Sequence, residues 1–245
     1  MVSPPLASPF SLFRQGIVAC IPIMLGYWAV SFACSAVGIA QGFSFWQLAA
    51  LSIFLYAGSA QFLLYSLVAS GTGVVEIAIS VAFINMRYVL TNTYLTQYLR
   101  SWPVWQRIIG AILITDETFA VSVPSIRKEP QNFSFYWLLG LNLAGWINWI
   151  LAGLAGSIFA SFMPIWLRNS FSFSLVGMFV GLLIIGLQNS PHRRIDLAVI
   201  FGAAVADFLL FTLFNQHIAL IAAASLAAGI GLFLTHQKTW KVEND

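Results

Sequence analysis

Arg87 stands in the run VAFINMRYVLTNTYL, Val81 to Leu95, with Asn85 just before it and Thr91, Asn92 and Thr93 just after. A guanidinium is a permanent cation with five donors and a geometry matched to carboxylates. At the centre of a lipid-embedded helix such a charge costs at least about 2.5–3.5 kcal/mol on insertion scales, so it normally faces a cavity or an acid. The chemistry open to Arg87 is therefore recognition of an anionic cargo, or pairing with a carboxylate of the chain. Snorkelling to the headgroups is the alternative, and a residue near the middle of Val74–Leu99 is badly placed for it.

The acids available are Glu76, Asp116, Glu117 and Asp207. Glu76 shares a helical face with Arg87 but lies about 16 Å away along one helix, too far to pair directly. Asp116 and Glu117, in ILITDETFAV, are the better partners from another helix. An enclosed carboxylate can also carry a coupling proton, and the other reading of these two is an interfacial helix with a wet face. Asp207, in FGAAVADFLLF, reads either as a proton or ion carrier or as an assembly partner for Arg87 or His217. A second feature is FLYAGSAQF, Phe54 to Phe62. Its small residues Ala57, Gly58, Ser59 and Ala60 allow close helix packing or a helix break that exposes amides to a carboxylate. Gln61, a buried amide, needs partners.

These residues must be positioned by elements that live in lipid. Hydrophobic residues make up 60% of the 245-residue chain and charged ones 8%, against roughly 25% charged in soluble domains. Mean hydropathy is +0.87. A bilayer core needs about 20 apolar residues per helix. That ruler marks eight segments: Gly16–Ala40, Phe45–Ser70, Val74–Leu99, Val104–Val123, Phe135–Met163, Phe173–Leu187, Leu197–Phe214 and Ile218–Leu234. The runs are long and do not alternate, which excludes a membrane barrel. The fold expected is all-α, a polytopic membrane helical bundle of seven or eight hydrophobic segments with broken helices and a weak internal repeat. It forms a single integral membrane domain over 1–245, with an irregular lead-in at 1–13 and a tail at 236–245. The repeat rests on FSFWQLAALSIFLYAGSAQ from Phe43 against FSFSLVGMFVGLLIIGLQN from Phe171.

Val104–Val123 carries Arg107, Asp116 and Glu117 and is the segment whose spanning is open. If all eight cross with both termini inside, Arg14, Arg127, Lys128, Arg193, Arg194, Lys238 and Lys241 fall inside and Arg100, Arg107 and Arg168 outside. If Val104–Val123 stays on the cytoplasmic side and the N-terminus is outside, Arg100 and Arg107 join the inner group and Arg14 leaves it. Both arrangements put the tail in the cytoplasm.

Several functions are disfavoured. The net charge is +3, but the basic residues sit mostly at the ends of apolar runs, as topology signals do, with no basic patch for nucleic acid. Cys20 and Cys34 are too far apart along one helix to bridge and read as packed thiols. No cluster suggests a metal, and no cofactor is expected. The N-terminus lacks the basic and small-residue marks of a secretory signal. No GxSxG or HExxH occurs, and His192, His217 and His236 have no nucleophile at motif spacing. An intramembrane enzyme is thus an alternative rather than the expectation, as is a non-transporting channel or assembly subunit. The nine tryptophans, Trp102, Trp105, Trp137, Trp146 and Trp166 among them, read mostly as an interfacial belt.

The order of motifs resembles a known family. Gly16, Pro22 and Gly26 are followed by Gly42-Phe43-Ser44-Phe45, by Tyr56-Ala57-Gly58-Ser59-Ala60-Gln61-Phe62, by Asn85-Met86-Arg87-Tyr88-Val89-Leu90 and by Thr115-Asp116-Glu117-Thr118-Phe119-Ala120. The series is similar to the AzlC family of bacterial branched-chain amino acid permeases, the large subunit of a two-component exporter. The resemblance covers roughly residues 10 to 165. It implies export of valine, leucine, isoleucine or related amino acids from the bacterial cytoplasmic (inner) membrane, with a small AzlD-like membrane subunit as partner. The family often has His where this chain has Tyr88, and a Ser-containing segment where it has Thr91-Asn92-Thr93, which leaves the side-chain preference open. In that reading Arg87 takes the substrate carboxylate, with Asn85, Gln61, Gly58 and Ser59 completing the pocket. Asp116 or Glu117 serves the ammonium or a coupling proton, and Phe54, Phe62 and Phe83 meet the apolar side chain.

Overall fold

The computed structural model describes residues 8–128, 133–164 and 193–212, with single helical positions between 177 and 188 and between 223 and 231. The expected segments Phe173–Leu187 and Ile218–Leu234, the second copy of the weak repeat, His217 and the tail lie largely or wholly outside these residues. Every regular element among the described residues is helical, as backbone in lipid requires when no sheet can close on itself. The chain divides into two compact units, Met1–Val176 and Gly177–Asp245.

In the first unit α1 runs Pro9–Ala40 and begins earlier than the expected lead-in allowed. The reason is local: the Ser8 hydroxyl accepts from the Ser11 amide at 3.2 Å and Pro9 occupies the first helical position, where its missing N–H is harmless. Pro22 lies inside α1 without ending it. After a turn closed by Gly42 at φ +88°, α2 (Phe45–Phe54) starts on a reciprocal cap between Ser44 and Gln47. Three further segments are each interrupted. α2 stops at Leu55 and α3 (Gly58–Ala69) resumes the path. α4 (Val74–Asn85) passes to α5 (Arg87–Thr96) through Met86, where bonds to the third residue back tighten one turn. α6 (Val104–Ile112) gives way at Leu113–Thr115 to α7 (Asp116–Lys128). α8 (Phe135–Phe162) is continuous.

Among the described residues three stretches are long and apolar enough to cross a bilayer: Pro9–Ala40, Val74–Thr96 and Phe135–Phe162. That is fewer than the eight expected. Phe45–Ser70 and Val104–Val123 are each split into two short helices, because a small-residue stretch and a polar Thr-Asp-Glu stretch stop the helix where hydropathy alone runs on.

α1 and α8 form the backbone of this unit. A methyl group on Gly16 would strike the Trp137 carbonyl, one on Gly140 the Phe13 carbonyl, and one on Gly156 the Phe32 carbonyl. Glycines at these crossings let the two backbones touch, the usual way helices associate in lipid. Around this seam sit two cores. One gathers Cys20, Leu95, Ile126, Leu138 and Leu141; the other gathers Cys34, Val37, Leu48, Phe62 and Tyr65. The outer faces are apolar and exposed, as with Leu25, Phe54 and Val74 at 81%, 86% and 82%, a surface suited to lipid rather than water. Both cysteines are free and buried.

The second unit contains α9 (Arg193–Phe211), which covers most of Leu197–Phe214. Val199 packs against Gly231.

Candidate functional site

The three interruptions of the first unit come together at Arg87. Its Nη1 lies 2.7 Å from Asp116 Oδ2. Its Nη2 donates to Ser59 Oγ at 2.8 Å and to the Tyr88 hydroxyl at 3.2 Å, and its guanidinium carbon lies 5.0 Å from the centre of the Tyr88 ring. Each partner begins a half-helix: Ser59 is in the first turn of α3, Arg87 opens α5 and Asp116 opens α7. The charge has been compensated locally, and about a third of each side chain of the Arg87–Asp116 pair stays accessible, 33% and 35%. Arg87 Nε and Asn85 Oδ1 are buried without a hydrogen-bond partner.

A second polar layer adjoins it. The Tyr27 hydroxyl, from α1, donates to Glu117 Oε2 at 3.0 Å and shares a hydrogen bond with the Thr115 hydroxyl. Thr115 and Thr118 cap the start of α7 reciprocally, each backbone amide donating to the other's hydroxyl, at 2.9 and 3.3 Å. The rings of Tyr27, Tyr56 and Trp149 meet nearly edge to face, with centres 5.7 to 6.1 Å apart. Gly145, one turn before Trp149 on α8, gives Tyr27 and Tyr56 room to approach: a methyl there would lie 2.8 Å from the Tyr56 hydroxyl and 3.1 Å from the Tyr27 ring.

Carbonyls at the breaks are met by side-chain donors. Gln61 Nε2 donates to Leu51 O at 3.1 Å and to Leu55 O at 2.6 Å, while its Oε1 accepts from Cys34 Sγ at 3.2 Å. Trp146 Nε1 donates to Ile53 O at 3.1 Å. At the end of α6, Asn92 and Asn142 donate to Ala111 O and Gly110 O at 3.3 and 3.4 Å. A broken helix persists in lipid only where such partners replace the lost ladder.

The remaining expected site residues are placed as follows. Gly58 starts α3, pressed against Trp149. Gln61 is 0% exposed, its amide already engaged as the cap of α2. Glu76 is exposed in the first turn of α4, a helix-length from Arg87, and makes no ion pair among the described residues. Asp207 lies half-buried on α9 in the second unit. Of the expected apolar wall, Phe62 belongs to the core with Cys34 and Leu48, and Phe54 is exposed on the outer face. Tyr27 and Trp149 were not singled out from sequence, and Tyr56 and Thr115 entered only as positions of the motif series. Of the nine tryptophans read mostly as a belt, Trp149 is an exception, because it is 4% exposed. Its signal is its position on the face of α8 that also carries Gly145 and Gly153, the small residues turned to α1 and α2. No group of three or more His, Cys, Asp or Glu that would hold a metal occurs among the described residues.

Comparison with known proteins agrees with this architecture. An uncharacterized membrane protein of Archaeoglobus fulgidus is 32% identical over 90% of this chain and 94% of its own length. The inner membrane protein YgaZ of Escherichia coli K12 is 24% identical over 94% of this chain and 95% of its own. An uncharacterized membrane protein of Helicobacter pylori J99 is 23% identical over 90% and 94%. No solved structure matches. The description of the AzlC protein family matches residues 22–163, a stretch that holds the three broken helices, Arg87 and its partners, so this multi-pass membrane protein belongs to the AzlC family.

Proposed function

We propose that the chain is a transporter that exports branched-chain amino acids, valine-like or related and small, as the large subunit of a pair with a small AzlD-like membrane protein, from a bacterial cytoplasmic membrane. Family membership supports transport. The observation that carries the amino-acid reading is Arg87, held between Ser59 at the start of α3 and Asp116 at the start of α7. A zwitterion needs donors for its carboxylate and acceptors for its ammonium. Arg87 and the positive end of α3 supply the first. Glu117 and Asn85 Oδ1 supply the second, Asp116 being engaged with the guanidinium.

In this reading the substrate carboxylate competes with Asp116 for the guanidinium. Binding would then loosen the tie between α5 and α7, a differential contact of the kind a transport cycle needs. Asp116 released from Arg87, or Glu117 on Tyr27, is the group to take a coupling proton. Gln61 acts by holding the α2–α3 break open. Asp207 and Glu76 remain coupling candidates on chemistry alone, without a geometric tie to Arg87. The protein works as a carrier rather than as an enzyme.

The test is valine efflux from a host lacking its own exporters, with and without the small partner. Arg87→Ala is expected to abolish efflux while the protein still reaches the membrane. Efflux at the wild-type rate in that variant would refute the assignment.

A further inference from the structure

One turn beyond Trp149 on α8, three serine hydroxyls from two other helices stand around Gly153. A methyl on Gly153 would lie 2.7 Å from Ser52 Oγ and 3.1 Å from both Ser31 Oγ and Ser35 Oγ, so all three oxygens are turned to one point. Ser31 and Ser35 share a face of α1, one turn apart, and Ser52 is in the last turn of α2. The three residues are 0%, 1% and 1% exposed. Close packing explains why small residues stand here, but alanine would serve it as well as serine. Internal hydrogen bonding does not account for the hydroxyls either. Ser31 donates its proton to Trp149 O at 2.7 Å, which leaves its lone pairs unused. Ser35 Oγ is buried with no partner among the described residues. The Ser52 carbonyl also accepts no hydrogen bond among them, because α2 ends at Phe54 and the Tyr56 amide, next on the ladder, does not reach it. Polar oxygens left unserved in a dry interior are costly and call for an explanation.

We infer that Ser31, Ser35 and Ser52 form a site for a small monovalent cation, sodium, at the junction of α1, α2 and α8. The chemical class follows from the groups present. Three hydroxyls and the carbonyl at the end of α2 offer oxygen lone pairs, the ligands that hard cations take. The end of α2 is the negative pole of a half-helix, and such ends are where membrane carriers coordinate sodium. No carboxylate is among the three residues, which excludes a divalent ion, whose charge neutral oxygens in a dry site would leave uncompensated. Bound there, sodium ties the end of α2 to the α1–α8 frame. Ser31 also holds the Trp149 carbonyl, and the Trp149 ring lies against Gly58, the residue before the Ser59 that binds Arg87. Occupancy at the serines is thereby linked to the start of α3 and to the Arg87 cluster. The site goes beyond the amino-acid reading and does not depend on the identity of the cargo.

The experiment uses the purified full chain in detergent, without substrate, in sodium, potassium or choline chloride at equal ionic strength. The melting temperature is expected to rise by several degrees from choline to sodium and to saturate with sodium concentration, as binding to the folded state requires. Potassium should give a clearly smaller rise. An equal rise in potassium would be a general salt effect and overturn the assignment. No rise in sodium would overturn it too, leaving the serines to hold a buried water only. Ser35→Ala is expected to melt in choline at or above the wild-type temperature, since it removes an unserved hydroxyl, and to lose the rise in sodium. A Ser35→Ala chain that keeps the full sodium rise overturns the proposal. Ser52→Ala is the second arm should Ser35→Ala fail to fold: the same loss is expected, and an undiminished rise again overturns the site. A wild-type chain that shows the sodium rise but moves no valine keeps this site and refutes the amino-acid reading alone.

Discussion

At the scale of single residues, the question is how a permanent charge is tolerated in an apolar chain. Arg87 has an acid, a hydroxyl and an aromatic face within reach, and part of the pair remains accessible. The pair is thus able to exchange partners, unlike a fully enclosed one, whose rupture costs several kcal/mol. This gives a prediction for the other half of the pair. Asp116→Asn removes the internal competitor for the guanidinium, so valine should bind more tightly, with KM lower by a factor of about two to five, the range expected for partly exposed ion pairs. Turnover should fall, because the substrate no longer displaces anything. Initial-rate measurements that resolve KM from Vmax check this, and a raised KM would mean that Asp116 touches the substrate rather than competing with it.

At the scale of elements, the first unit is built from helices that stop midway and resume. The stops have chemical causes: small residues at Ala57-Gly58-Ser59, a tightened turn at Met86, and the mutual Thr115–Thr118 cap ahead of Asp116. Each stop loosens the backbone ladder, and Gln61 adds a second donor to two carbonyls at the end of α2. Gln61→Leu should therefore act on stability before it acts on recognition. Both carbonyls keep a backbone donor, from Leu55 and Ala57 at 2.8 Å each, so the cost is that of the two lost Gln61 bonds, about 1–3 kcal/mol, a fall of several degrees in the melting temperature of the detergent-solubilised protein. If melting is unchanged while valine affinity drops, Gln61 contacts the substrate instead. The existence of the breaks was partly legible, since FLYAGSAQF reads as a point where a helix opens. Their full number was not. A hydropathy window averages over about 19 residues and glides across a three-residue interruption such as Leu113–Thr115.

At the scale of the molecule, the α1–α8 seam is the frame on which the half-helices are hung. Its glycines at 16, 140 and 156 bring the backbones into contact, and the interrupted helices bring Arg87, Asp116 and Ser59 to one place beside it. Orientation in the membrane belongs to this scale as well. By the positive-inside rule, the basic residues near the ends of the apolar runs lead to the expectation that the C-terminus is cytoplasmic under either topology. A green fluorescent protein fused after Asp245 should accordingly be fluorescent, and a periplasmic alkaline phosphatase at the same point inactive. The opposite pattern would reverse the orientation and, with it, the side from which the Arg87 cluster is loaded.

Hydropathy, composition and the lone Arg87 determined by themselves that this is a helical membrane protein with a charge that must be compensated, because transfer of side chains into lipid is a local, additive property readable along the chain. The motif order from Gly16 to Ala120 likewise pointed to the AzlC family. What only the tertiary structure decided is which groups compensate that charge and which are left over. Asp116 and Ser59 pair with Arg87, Gln61 is spent on a helix end, and Trp149 leaves the presumed belt for the interior beside Gly58. Hydrogen bonds act over about 3 Å, and residues tens of positions apart reach that distance only through the crossing of helices, which no stretch of the chain encodes alone.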